Sequence, residues 1–170
     1  MVDAGCYWLE NTVRVNSGHG CGQRSQIEHA AVQLYQHAYV QGWWVEMWSK
    51  LTRHSHHLLN LQSVLAEGKA VDGHEGGIQI IPIRQILGSE CRTEGSFDTQ
   101  FHPLQEHDRD RWLQVATARL AGTPLPPVQL IQVGQNYFVR DGHHRISVAQ
   151  ALGEEYIEAE VTVWDVAGTG

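Results

Sequence analysis

The stretch YFVRDGHHRISVAQALG, residues 137–153, decides the fold. Tyr137, Phe138 and Val139 are aromatic or β-branched residues that favour extended backbone. Asp141-Gly142 is a turn pair. From His143 onward nothing breaks a helix before Gly153, which sits where a left-handed residue closes one. The stretch therefore predicts a strand, a tight turn and a helix over 143–152. Gly142 lets the backbone take a positive φ and approach a ligand closely. The amides of His143, His144 and Arg145 then become the unsatisfied donors of a helix N-terminus, and with the helix dipole they favour a bound anion. Arg145 offers a planar fork for phosphate oxygens. His143 and His144 can donate when protonated. Asp141 is acidic and is expected to cap the helix, orient Arg145 or hold Mg²⁺ on bound phosphates. A hairpin end with surface histidines would account for Asp-Gly alone. Consecutive histidines ahead of an arginine, with no hydrophobic reason for them, point to a site for a phosphorylated ligand, most simply a nucleotide.

Pro126-Pro127 introduce a hairpin whose arms are 128–133 and 137–140, joined by Gly134-Gln135-Asn136. Beyond the helix, residues 157–164 alternate as IEAEVTVW and predict a half-buried final strand. Upstream, residues 108–120 predict a helix with Trp112, Val115, Ala116 and Leu120 inward, stopped by Gly122 and Pro124. In IQIIPIRQI, residues 78–81 predict a strand, with Pro82 at its edge or end. Gly88 to Arg92 come next as a loop, and residues 97–104 carry scattered apolar side chains around Pro103. The glycine-rich GKAVDGHEGG, ending at Gly77, is expected to separate a main domain over 78–166 from a helical arm over 25–68. In that arm Ser25 and Glu28 have capping-box spacing, and Ile27, Ala30, Ala31, Leu34 and Ala38 keep helical spacing. Gly42 is expected to interrupt or kink the helix. A second helical stretch is expected from about Trp43 to Ala66, with Trp44, Met47, Trp48, Leu51, Leu58, Leu59, Leu61 and Leu65 as its apolar stripe. Residues 1–24 are expected to be flexible.

The 170 residues suffice for one domain with an appendage. With 42% hydrophobic and 18% charged residues, the chain is ordinary for a soluble globular protein. A net charge of −7, from 12 Lys and Arg against 19 Asp and Glu, disfavours a broad nonspecific DNA-binding surface. No apolar run approaches the ~20 residues of a membrane span, and no basic start leads into the apolar core of a secretory signal. Cys6, Cys21 and Cys91 are odd in number, far apart and free of any CxxC pair, as expected of free thiols in a reducing cytoplasm.

The segment around Asp141–Arg145 resembles the ParB/sulfiredoxin superfamily, whose members carry a Gly-x-x-Arg turn at this strand-to-helix junction. Partition proteins of the ParB type have GERR there and bind CTP. Sulfiredoxins have GCHR and bind ATP. Free-serine kinases of the superfamily have DGHHR, which residues 141–145 match letter for letter. The resemblance covers about 78–166, and IIPIRQI is similar to the family's first strand. The longer string from GSECR through DGHHRISVAQALG resembles bacterial ParB-like proteins that also carry a helical N-terminal arm. The resemblance implies an α+β, ParB/sulfiredoxin-like nucleotide-binding domain with an N-terminal helical extension. The sulfiredoxin cysteine would fall at His143, so reduction of a sulfinic acid lacks its nucleophile here. Partition proteins also need a helix-turn-helix reader and a dimerisation domain, for which the residues after the motif are too few. No acidic cluster suggests a two-metal nuclease.

The residues and the resemblance together support two functional expectations. One is a nucleotide-dependent phosphotransferase or nucleotide hydrolase using ATP, ADP or CTP with Mg²⁺. Gly142, His143, His144 and Arg145 would hold phosphates, with Arg92 meeting a second one. Glu90, placed by the kinase resemblance soon after the first strand, would take the acceptor's proton. Asp141 and Glu90 would engage the metal, and Asp141 and His144 complete the catalytic set. Asp98 and His102 are weaker candidates, His102 being more simply structural. The other expectation is a nucleotide-sensing module that switches association with a partner without turnover. His54, His56 and His57 lack a carboxylate at matching spacing and read as a polar helix face. Trp43, Trp44 and Trp48 are expected to dock the arm onto the domain or onto a second copy. A membrane-surface role is disfavoured by the scarcity of Lys and Arg there.

Overall fold

Alternating apolar residues over 128–141 build the centre of the molecule. The computed structural model of the chain describes residues 20–52, 58–65, 70–90 and 96–166. Within them run α1 (Gly20–Thr52), β1 (Leu59–Asn60), α2 (Leu61–Leu65), β2 (Ala70–Pro82), β3 (Ile86–Ser89), α3 (Arg109–Leu120), β4 (Val128–Val133), β5 (Asn136–Asp141), α4 (His143–Ala151) and β6 (Tyr156–Val166). Short 3-10 turns at Ile83–Gln85 and Glu106–Asp108 precede β3 and α3. The architecture is α+β.

The strands form one six-stranded sheet in the order β1-β3-β5-β4-β6-β2. The central β4–β5 hairpin is antiparallel and turns at Gly134, whose φ is 61°. β4 runs parallel to β6, and β5 parallel to β3, which in turn runs parallel to β1. β2 pairs antiparallel with β6 at the edge. Successive strand residues point to opposite faces, and both faces are covered. Leu130 and Val139 join Ile81, Val161 and the α4 residues Ile146 and Ala149. Their neighbours Ile131 and Phe138 meet Leu61 of α2 on the other face. Outside α4 lies a further helical layer, where Ala31, Tyr35 and Ala38 of α1 meet Trp112 and Ala116 of α3 and Val148 of α4. Trp112 is fully buried, and its Nε1 donates to Ser147 Oγ of α4 at 2.8 Å.

Several expectations need correction. α1 is one unbroken helix through Gly42, and it starts before Ser25. A glycine in a helix costs only about 1 kcal/mol. Here its missing Cβ has a use, because a Cβ at 42 would lie 3.0 Å from His102 Cβ, Leu104 Cδ2 and the Pro103 carbonyl. Among the described residues the second stretch is helical through Thr52. Leu59 belongs to β1, and Leu61 enters the core from α2. Trp43, Trp44, Met47, Trp48 and Leu51 are largely exposed and join none of the core clusters of the described residues. Most of the glycine-rich segment is edge strand, since β2 begins at Ala70 and pairs along β6 with register shifts at Ala70/Asp72 and Glu75/Gly77. Gly88 and Ser89 are strand residues of β3, so the chain leaves the sheet only after Ser89. Residues 1–19 and the histidines at 54, 56 and 57 lie outside the described residues.

Candidate functional site

β5 ends at Asp141 and α4 begins at His143, so one residue makes the corner. Gly142 adopts φ 106° and ψ 21°, a left-handed conformation costly for any residue with a Cβ. Its carbonyl accepts the first helical bond, from Ile146 N at 3.0 Å. The three amides before it, of His143, His144 and Arg145, belong to the first turn, where the helix supplies no acceptor. Asp141 does not cap the helix. Its carboxylate instead receives Arg145 Nη2. Of the roles expected for Asp141, orienting Arg145 is the one the geometry displays.

Arg145 is more engaged than expected. Its Nη1 donates to the carbonyls of Pro126 and Pro127 at 2.6 and 2.7 Å, so the guanidinium ties the start of α4 to the segment leading into β4. The side chain is 15% exposed. It borders a cavity of about 380 Å³, which is also lined by Asp141, Gly142, His143, His144, Phe97, Asp108 and Arg111.

The two histidines are held differently. His143 stacks near Phe97, and its Nε2 lies 2.8 Å from Ser89 Oγ. Ser89 Oγ also donates to the Val139 carbonyl at 3.2 Å. A hydroxyl has one proton, so both contacts hold together when His143 carries its hydrogen on Nε2. Burial, reinforced by the adjacent His144 and opposed by Asp141, lowers the His143 pKa from 6.5 to about 4. His144 meets Phe97 edge-on, with ring centroids 5.3 Å apart. Its Nε2 is buried without a hydrogen-bond partner among the described residues, 3.8 Å from Asp108 Oδ1. Burial also lowers the His144 pKa, with Asp108 pulling the other way. Near neutral pH both imidazoles are therefore uncharged, so each has a single ring N–H to donate.

Glu90 does not line this cavity. It stands just after β3, where its amide donates to the Val139 carbonyl, and its carboxylate takes Arg140 Nε at 2.8 Å and Nη2 at 3.3 Å. Asp141 and Glu90 are thus each paired with an arginine of their own, and no cluster of three or more His, Cys, Asp or Glu suited to a metal occurs among the described residues. Arg92 lies outside the described residues. Asp98 and His102 form a structural turn: buried Asp98 accepts the amides of Gln100 and His102 at 2.9 and 2.8 Å and the His102 ring Nδ1 at 2.8 Å. Sequence reading missed the cavity residues Phe97, Asp108 and Arg111, and Ser89, which touches His143 from β3. Asp108 and Arg111 fall in the helix expected over 108–120 without being singled out, and only the approach of α3 to α4 brings them beside the histidines.

No protein-family model matches the chain, and no curated protein matches it. Among solved structures the chain is similar to the crystal structure of sulfiredoxin from Arabidopsis thaliana, with a TM-score of 0.37 and 22% identity over 49% of this chain and 82% of that one. At that level the overlay carries no argument, and the α+β architecture rests on this chain's own sheet order.

Proposed function

We propose that the chain binds a nucleotide through its phosphates at the N-terminus of α4. One observation carries this reading: the buried, unpartnered Nε2 of His144 shares a cavity wall with the first-turn amides of a helix. A buried polar atom left without a partner costs about 1–3 kcal/mol, and an anionic oxygen in the cavity would relieve that cost while meeting amides that point outward. A cavity of about 380 Å³ falls in the range of small-molecule sites. The resemblance of residues 141–145 to the ParB/sulfiredoxin superfamily supports a nucleotide over other phosphorylated ligands.

Binding without turnover is the form favoured by one further observation. Glu90, the expected proton acceptor, is held by Arg140 and does not line the cavity. A nucleotide-sensing module therefore fits better than a phosphotransferase using Glu90.

Thermal denaturation with ATP, ADP or CTP, with and without Mg²⁺, tests the reading. A nucleotide at 100 times its Kd stabilises the folded state by about 2.7 kcal/mol, which raises Tm by roughly 5–10 °C for a chain of this size. Arg111→Ala and His144→Phe should remove the rise while leaving the unliganded Tm close to wild type. If no nucleotide and no pyrophosphate shifts the folded wild-type chain, the reading is wrong. Turnover that is abolished by Glu90→Gln would replace the sensing form with the catalytic one.

A further inference from the structure

α1 has two apolar faces, and the core of the described residues takes up one. At 3.6 residues per turn, Ala31, Tyr35, Ala38 and Gly42 fall in one narrow stripe, and all four are buried. Val40, Trp43, Trp44, Met47, Trp48 and Leu51 recur at spacings of three and four on the opposite side. Each is between 46% and 75% exposed.

We infer that this outer face joins a second copy of the chain through an antiparallel contact between the two α1 helices. A tryptophan offers up to about 250 Å² for burial, so three half-exposed tryptophans with Val40, Met47 and Leu51 present on the order of 600 Å² of apolar surface. That is at the top of what a monomer normally leaves open. It also approaches the ~800 Å² each partner contributes to a standard interface. Charge supports a like partner. Residues 40–51 carry one acid and one base, Glu46 and Lys50, which pair at 2.9 Å on one flank of the stripe. A two-fold axis at the level of Trp48 brings that flank of each helix beside the same flank of the other. Glu46 of each copy then faces Lys50 of the second copy, as an isologous contact requires. A membrane surface is a poor alternative, because a helix lying on anionic lipid flanks its apolar face with several cations, and here there is a single lysine.

Sedimentation velocity on the full chain, over a series of micromolar concentrations, reads the result. The wild type should sediment as a species of about twice the 19.1 kDa chain mass. Trp44→Glu with Trp48→Glu should give a folded monomer, checked by circular dichroism. Glu46→Lys alone and Lys50→Glu alone each set like charges against each other and should raise the dissociation constant about tenfold. The double swap should restore it, which also guards against a tryptophan variant that fails to fold. A wild type that stays monomeric, including one that binds anionic vesicles, overturns the proposal, as does a dimer indifferent to both tryptophan changes. Single charge swaps without effect overturn the antiparallel register.

Discussion

Gly142→Ala should cost the chain about 2–5 kcal/mol. Two contributions add. The first is conformational: at φ 106° an L side chain is strained, at roughly 1–2 kcal/mol. The second is steric. A Cβ at 142 would sit 2.7 Å from Val128 Cγ1 and 2.9 Å from Val128 Cβ. Val128 is 1% exposed in the main core, and a β-branched side chain has little rotamer freedom with which to yield. Overfilling such a site costs roughly 1–3 kcal/mol. At about 2–4 °C per kcal/mol for a chain of this size, Tm should fall by roughly 5–20 °C. Gly134→Ala is the control, because its φ is 61° and a Cβ there meets nothing within 4 Å. That variant bears the backbone cost alone, about 1–2 kcal/mol. Differential scanning fluorimetry on the two variants, with urea unfolding to convert the shifts into free energies, measures the difference. Equal losses would refute the close approach of the turn to Val128. A difference in ligand binding without one in stability would place Gly142 in recognition only.

Stability should also depend on pH through His143. Its folded pKa of about 4 lies below the 6.5 of the unfolded chain, so the unfolded state binds more protons between those values. Stability should therefore be full above pH 6.5 and fall as pH drops toward 4, by roughly 3 kcal/mol at most. Urea unfolding of wild type and His143→Gln checks this, and parallel pH dependences would argue against a buried neutral imidazole. Ser147→Ala removes the acceptor of the fully buried Trp112 indole N–H. It should cost about 1–3 kcal/mol in equilibrium unfolding, whereas a loss within error would mean that the indole finds another acceptor.

What the sequence made legible was local. The hairpin, the Gly142 corner and the Gly153 stop, with its φ of 76°, are set by residues a few positions apart, and they appear where the pattern puts them. Gly42 misled because its role is tertiary: the helix needs a missing Cβ where it crosses Pro103, and a one-dimensional pattern registers only a weak helix former. The glycines before Ile78 misled for a similar reason, since pairing with β6 supplies the backbone with partners whatever the side chains prefer. In the site, the amides of the α4 turn could be anticipated from the Asp-Gly corner. Asp108 and Arg111 could not, because they reach the cavity from α3 and the 3-10 turn before it, some thirty residues upstream. Glu90 shows the converse, a loop acid placed by analogy whose partner turned out to be Arg140 on the neighbouring strand.

The charges around the cavity bear on how an anion could enter it. Its wall holds the carboxylates of Asp108 and Asp141 and the guanidinium groups of Arg111 and Arg145. With both imidazoles neutral, the formal charges cancel, so side chains alone give an incoming phosphate little net attraction. In the proposed complex the attraction would come from the α4 terminus, whose partial positive charge acts within the first turn. In that complex Asp141 would be the group the phosphate replaces. Its side chain is 56% exposed, while that of Arg145, its partner, is 15% exposed. An ion pair open to water on one side contributes about 0–1 kcal/mol, and a displaced carboxylate returns to solvent at small cost. Arg145 would keep its position in such an exchange, with Nη1 held by the Pro126 and Pro127 carbonyls while Nη2 changed partner. A lysine at 145 would lack the second arm needed to do both at once. The bonds that first look like an obstacle to phosphate binding thus leave the guanidinium anchored on one side and open to exchange on the other.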